Sequence, residues 1–419
     1  MKSLCLTALI AALAAHGAAA EEFIIRGAVV HTAAAQGTLK NADVVVRGGM
    51  IIAIGPDAGS SGTPNATIVD AKGKELTPGL FGGLTDLGLE EIAAEAQTVD
   101  SAANFKSPAW DQQWRPELDV TSAFNPRSFV IPVTRIEGIT WTVLAPGAAD
   151  SIMAGQGSAV VLDGRYDAAL TGSRTLFVQM GSAGARMAGG TRAAEYMLLE
   201  QAIQEARVAG PAGPGALLHA AGKETLARYL MGGRVVFQVD RAADILSVVK
   251  FAERHGMKPV ILGGDEAWLV AKDLAKSNVP VILNPLNDLP ADFDRLGATL
   301  ENAARLQRAG VRIAFSSGDT PQARLVRQLA GNAVAHGLPW ESALAAITST
   351  PADIFGLGAT HGRIAVGRSA DLVLWSGDPL EVTTLADQVW IAGHPIDMKS
   401  RQTELRDRYV EKLKAHQAR

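Results

Sequence analysis

Hydrophobic and polar positions divide this chain into strand-rich ends and an alternating middle. Near the start, Phe23 to Val30, Ala42 to Arg47, Met50 to Ile54 and Ala66 to Asp70 are short runs rich in Val and Ile. Such runs, bounded by Gly, Pro and Asn, predict strands. Gly48-Gly49 between the second and third predicts a hairpin, and Gly59 to Pro64 reads as a loop. The far end answers with Asp371 to Trp375 and Gln388 to Ala392, separated by the turn Ser376-Gly377-Asp378-Pro379. Residues 21–78 and 360–398 are therefore expected to form one small β-sandwich domain built from both termini.

In the middle, strand-like and helix-like periods take turns. Arg234 to Val239 reads as a strand, and Ala242 to His255 as a helix with apolar Ile245, Leu246, Val249 and Phe251. Pro259 to Leu262, Val279 to Leu283 and Val311 to Phe315 are further strands. They are followed in turn by helices near Ala267 to Ser277, Leu300 to Ala309 and Ala323 to His336. Repetition at this spacing predicts parallel β/α units. Four in succession favour an α/β fold with a TIM-like (β/α) barrel over residues 79–355. Residues 90–130, polar and Pro-containing, read as an insertion on that barrel. Residues 399–419 alternate charges at helical spacing and predict a solvated C-terminal helix.

Composition adds three constraints. The length, 419 residues, suits a barrel plus one smaller domain. Aromatic residues make up 5% of a chain that is 47% hydrophobic, so Ala, Val, Leu and Ile must do most of the packing. Charge is nearly balanced, with 39 basic and 43 acidic residues and no basic run, so no nucleic-acid partner is expected. The first twenty residues have their own logic. Lys2, the apolar stretch Leu4 to Ala15 and the small residues Ala18-Ala19-Ala20 read as a secretory signal over 1–20. The expected location is the periplasm or the medium. The apolar stretch is shorter than the ~18 residues of a spanning helix, so no membrane attachment is expected after cleavage. Cys5, the one cysteine, lies within this signal, which leaves the mature chain without a disulfide or a Cys nucleophile.

Several segments resemble the amidohydrolase superfamily, in particular its imidazolonepropionase-like exported branch. Val69 to Lys74 followed by Thr77-Pro78-Gly79-Leu80 is similar to that family's lead-in to the first barrel strand. Gly362 to Val373 is similar to its exit, the G-x-I-x-x-G-x-x-A-D-L-V pattern, and Thr348 to Leu357 to the helix before it. Pro78-Gly79 reads physically as a fixed φ followed by a free one, suited to a sharp turn into the barrel.

The resemblance implies a hydrolase acting on non-peptide or dipeptide C–N bonds through one or two divalent metals. The ligands would be His and Asp side chains at the C-terminal ends of the barrel strands. The positions that match them here differ in chemistry. The first His-x-His pair matches Leu84 and Asp86, a third His position matches Gln238, and a fourth matches Gly264. The carboxylate after the last strand matches Asp319, the candidate catalytic residue. None of the eight histidines forms a His-x-His or His-x₃-His pair, so no zinc site of the family type and no cofactor are expected. A weakly held divalent metal on carboxylates is the alternative. The polar residues left for the barrel mouth are Thr85, Asp86, Gln238, Asp240, Asp265, Glu266, Asn284, Ser316, Ser317 and Asp319, with Asn125, Arg127 and Arg135 as further candidates. Asp86, Gln238 and Asp240 are the candidate ligand-binding residues, for a small polar molecule. Two functions stay open: a hydrolase with an altered site, or a non-catalytic relative that binds a ligand or partners an active paralogue. A homo-oligomer or such a heteromer is the expected assembly.

Overall fold

The computed structural model describes residues 22–103, 114–149, 151–208, 210, 213–318 and 320–417. The segment expected to be a secretory signal, with Cys5 and His16, and the candidate Asp319 lie outside the described residues.

The first five strands are β1 (Glu22–His31), β2 (Thr38–Arg47), β3 (Met50–Gly55), β4 (Thr67–Asp70) and β5 (Glu75–Pro78). The chain then enters a second body through β6 (Leu80–Thr85), β7 (Ile139–Leu144), β8 (Met153–Gly157), β9 (Ala159–Val161) and β10 (Thr175–Gln179). That body continues with β11 (Arg234–Val239), β12 (Lys258–Gly263), β13 (Val281–Leu283) and β14 (Ile313–Phe315). Finally β15 (Leu372–Trp375), β16 (Ala386–Ile391) and β17 (His394–Pro395) return to the first sheet.

That first sheet has the order β17-β16-β15-β5-β1-β2-β3, with β4 also paired to β1. The start of β1 pairs with β4 and its end with β5, so the sheet divides there and folds over a core of its own. Ile25, Val44, Val46, Ile51, Leu76 and Leu372 are fully buried in this core, each on one face of a period-two strand. Sequence from both ends thus meets in one β unit. The Gly48-Gly49 hairpin joins β2 and β3 with φ of +57° and +79°, as a two-residue loop of inverted hand requires. A side chain at Gly49 would also collide with the Ala392 carbonyl.

The second body is the barrel. β10 to β14 are parallel neighbours, and β6 and β7 are parallel to each other. The stave between β7 and β10 departs from the uniform parallel pattern. β8 and β9 are successive halves of one extended run, antiparallel to β10 and to β7 respectively. No helix separates β7, β8 and β9, and a strand that returns without a crossover must run antiparallel. The ring closes at Ser316, after β14: its hydroxyl accepts from the Leu84 amide at 3.0 Å.

The barrel strands are buried on both faces, as parallel strands under a helical layer must be. Their inward residues, among them Phe81, Trp141, Val143, Phe177, Val236, Val260, Ile282 and Ala314, form a cluster separate from the strand–helix core. Two helices start later than the periodicity predicts. Residues 267–270 and 320–325 form 3₁₀ turns, and α-helix runs only over Ala271–Lys276 and Val326–Ala335. The Pro78-Gly79 reading also needs correction. Gly79 does not have a positive φ; a Cβ there would lie 2.1 Å from Thr140 Oγ1, so close approach to β7 is what demands glycine. Among the described residues no helix is long and apolar enough to cross a membrane.

Candidate functional site

Period-two alternation builds the barrel mouth. Moving two residues toward the C-terminal end from an inward apolar residue reaches the next inward position. From Phe177, Val236, Ile282 and Ala314 that step arrives at Gln179, Gln238, Asn284 and Ser316. All four line a cavity of about 830 Å³ whose floor is apolar, with Leu84, Ala154, Phe177, Val236 and Leu262. Thr85, Asp86, Glu90, Asp240, Asn287, Arg295 and Ser317 complete its polar wall. The cavity thus lies where barrel enzymes place their sites, at the C-terminal ends of the strands.

The structure brings Asp86, Gln238 and Asp240 into this one cavity, at the ends of β6 and β11. Asp265 and Glu266 lie behind the wall. Glu266 accepts from the amides of Ala242 and Gly297, both at 3.0 Å, and so ties two mouth loops together. Asn125, Arg127 and Arg135 are elsewhere. Asn125 donates to Glu91, the Arg127 amide donates to Asn125, and Arg135 donates to the Leu162 carbonyl. Their polar atoms serve loop structure, so the expectation that they join the pocket is corrected. Gln179, Glu90, Asn287 and Arg295 were not among the residues expected there. Gln179 had a usable signal, its period-two offset from Phe177. Arg295 had none, because it reaches the cavity from an irregular loop after β13.

Charge is concentrated on one side. Asp240 is largely buried, and burial followed by repulsion from Asp265 pushes its carboxyl up to about 6, against the pull of Arg295. Asp265 is also raised, mainly by burial. It accepts from the Asn287 amide with both oxygens, at 3.0 and 3.2 Å. Burial alone would lower Arg295, yet Asp240, Asp265 and Asp292 together raise it. Gly263 makes room for this group: its φ is +91°, and a Cβ there would press on Asp240 Oδ1. The loop bearing Arg295 is held from below. Asp294 accepts from the Ser182 amide at 2.8 Å and pairs with Arg192, which also pairs with Asp244 at 2.8 Å.

Divalent-metal chemistry needs several convergent donors at about 2.0–2.6 Å. Among the described residues no group of three or more His, Cys, Asp or Glu side chains is placed to hold a metal. Leu84 has no donor atom, Gly264 has no side chain, and Gln238 offers an amide. The described part of this donor set does not fit a multi-imidazole centre. None of the described histidines lines the cavity. His31 bonds Glu75 at 2.7 Å, His255 bonds Glu200 at 3.0 Å, and His361 lies 3.5 Å from Asp371.

A two-ended β unit carrying a barrel with its cavity at the strand ends is the architecture of metal-dependent and related hydrolases. The family model described as "Amidohydrolase family" matches residues 149–400, and the chain belongs to that family. Among curated proteins, imidazolonepropionase from Acidiphilium cryptum is 38% identical over 106 residues. That alignment covers 23% of this chain and 24% of the relative. Amidohydrolase tasK from Hapsidospora irregularis is 48% identical over 58 residues, 14% of this chain and 6% of the relative. The matches therefore span only a small part of these relatives. Among solved structures, an amidohydrolase from Thermotoga maritima superposes with a TM-score of 0.78 at 24% identity. It covers 90% of this chain and 100% of its own. A molinate hydrolase gives 0.54 at 14% identity, covering 91% of this chain and 95% of its own. At these identities the structural likeness establishes the fold.

Proposed function

We propose that this amidohydrolase-family chain is an exported protein that captures a small polar molecule in its barrel mouth without metal-dependent hydrolysis. The observation that carries this reading is the inward layer at the strand ends. Gln179, Gln238, Asn284 and Ser316 are neutral hydrogen-bonding groups, set above an apolar floor. Amides and hydroxyls above an apolar surface suit the recognition of a ligand that is part polar and part apolar. Activation of water needs a strong Lewis acid or a base aimed at it, and Leu84 and Gly264 supply neither at their strand ends. The compounds to test are the C–N-bonded classes that the family resemblance suggests: N-acyl amino acids, dipeptides and cyclic amides. Location in the periplasm or medium, and assembly as a homo-oligomer or with an active paralogue, belong to the same proposal.

A second reading, hydrolysis by a carboxyl acting as acid and base, is favoured by one observation. Asp240 faces the cavity with its carboxyl pushed up to about 6, within the range useful for proton transfer near neutral pH.

Thermal unfolding of the mature protein against a panel of those compounds separates the readings. A ligand at about 100 times its Kd should stabilise by about 2.7 kcal/mol and remain intact over hours. Gln238→Leu should abolish the shift. Turnover lost with Asp240→Asn would establish the second reading instead, and no shift with any compound would remove the first.

A further inference from the structure

We propose that Glu195 is a positioning residue which, as an uncharged carboxylic acid, holds the end of β10 and keeps Gln179 in the layer that faces the cavity. Glu195 lies in the first turn of the helix Arg192–Arg207, where an acid ordinarily stays ionised in solvent, favoured by the helix dipole. Here the residue is 1% exposed. It meets the turn by which the chain leaves β10 for the short helix Gly181–Met187. A Cβ at Gly184 would stand 2.5 Å from both Glu195 Oε1 and the Gln179 carbonyl oxygen, so those two oxygens lie within about 5 Å of each other. Glycine is required at 184 because these two groups meet there.

Two such oxygens need a proton between them. A carbonyl can only accept, and so can an ionised carboxylate. Glu195 Oε1 is buried and has no hydrogen-bond partner among the described residues. A protonated carboxyl donating to the Gln179 carbonyl supplies the missing bond. The surrounding charges favour the same state. Asp244, on the helix Ala242–Arg254, and Asp294, in the mouth loop, both act on Glu195. Arg192, on Glu195's own helix, already pairs with both of them, and Arg241 also pairs with Asp244. The neighbouring Tyr196 hydroxyl brings no positive charge. An ionised Glu195 would therefore be a third anion without a cation of its own, in a place that water does not reach. Burial first, and then Asp244, push its carboxyl up to about 8, against the pull of Arg192 and the Gly181 amide.

Once ionised, Glu195 and the Gln179 carbonyl repel each other. Opening of the turn relieves this and lets water reach the carboxylate. Gln179 then leaves the layer it shares with Gln238, Asn284 and Ser316. Order in the ligand layer is thus coupled to one bound proton. The inference rests on the proposed ligand-binding reading for the role of Gln179. Its test uses no ligand, so the two fail separately.

Amide hydrogen exchange at residues 180–185, corrected for the intrinsic rate, reads this opening. The carboxyl titrates at about 8 in the closed turn and at 4.5 once in water. The opening constant should therefore rise by up to about tenfold per pH unit between about pH 5.5 and 7.5, then level off above about 8. Glu195→Gln cannot ionise and keeps an N–H donor for the Gln179 carbonyl. It should match wild type at about pH 5.5 and show no slope. Glu195→Met has neither donor nor charge. It should exchange at least about tenfold faster than wild type at about pH 5.5, also without slope. A flat wild-type profile, or a slope that Glu195→Gln retains, would overturn the proposal. Should Glu195→Gln not fold, the slope in Glu195→Met decides: its loss supports the proposal and its persistence overturns it.

Discussion

Asp240 holds a carboxyl group against its own preference. Its pKa rises from 3.8 in the free side chain to about 6 in the fold, so the folded state binds this proton more tightly than the unfolded chain. Stability from this group is fullest below about pH 4 and falls as the pH rises through about 6, then stays level. A shift of about two units corresponds to about 3 kcal/mol as an upper bound, since one unit is worth about 1.4. Asp240→Asn removes the titration. Urea unfolding between pH 4 and 7 should therefore show the variant gaining on wild type as the pH rises, with nearly all the gain below pH 6.5. A difference independent of pH would mean that the carboxyl ionises normally. At this scale the sequence was partly legible. Gln238 and Asp240 follow a strand of clear period, so their position at its end could be read. Arg295 and Asn287 sit in a loop whose path is set by Asp294, Arg192 and Ser182, contacts between segments more than a hundred residues apart. No local pattern records such contacts.

At the scale of elements, the β/α repeat from β11 to β14 was readable because each strand is apolar and each helix follows it closely. The antiparallel β8–β9 stave was not. Its residues, Met153 to Val161, include Gly155, Gln156, Gly157 and Ser158, which carry little strand propensity. What places them is the edge-to-edge fit between β7 and β10: the Gly157 Cα lies so near the Leu144 carbonyl that a Cβ would stand 1.9 Å from it. The same logic governs the step from β5 into β6. Thr140 is wholly buried, and Gly79 packs directly on its side chain. Gly79→Ala should destabilise by about 1–3 kcal/mol through overpacking. Thr140→Ala in that background removes Oγ1 and Cγ2, the nearest two obstacles, and should recover part of the loss. Additive losses in chemical denaturation would show that the two residues do not share the space.

For the whole molecule, two facts stand together: membership of the amidohydrolase family, and a barrel mouth whose inward layer at the strand ends is three amides and a hydroxyl, with the carboxylates of Asp86, Glu90 and Asp240 in the wall beside it. Fold follows from patterns that survive many substitutions, whereas chemistry depends on a few side chains at fixed positions. The long-range pattern of strands at both ends and β/α units between them made the architecture legible. The site was legible only where a strand's period reached it. Under the proposed function this mouth works without a metal, and metal content is the most direct measurement of that. The mature protein, purified without chelator, should contain less than about 0.1 equivalent of zinc or any other transition metal, against the three or four ligands such a centre requires. About one equivalent of zinc per chain, lost in Asp86→Asn or Asp319→Asn, would contradict it and restore a metal-dependent hydrolase.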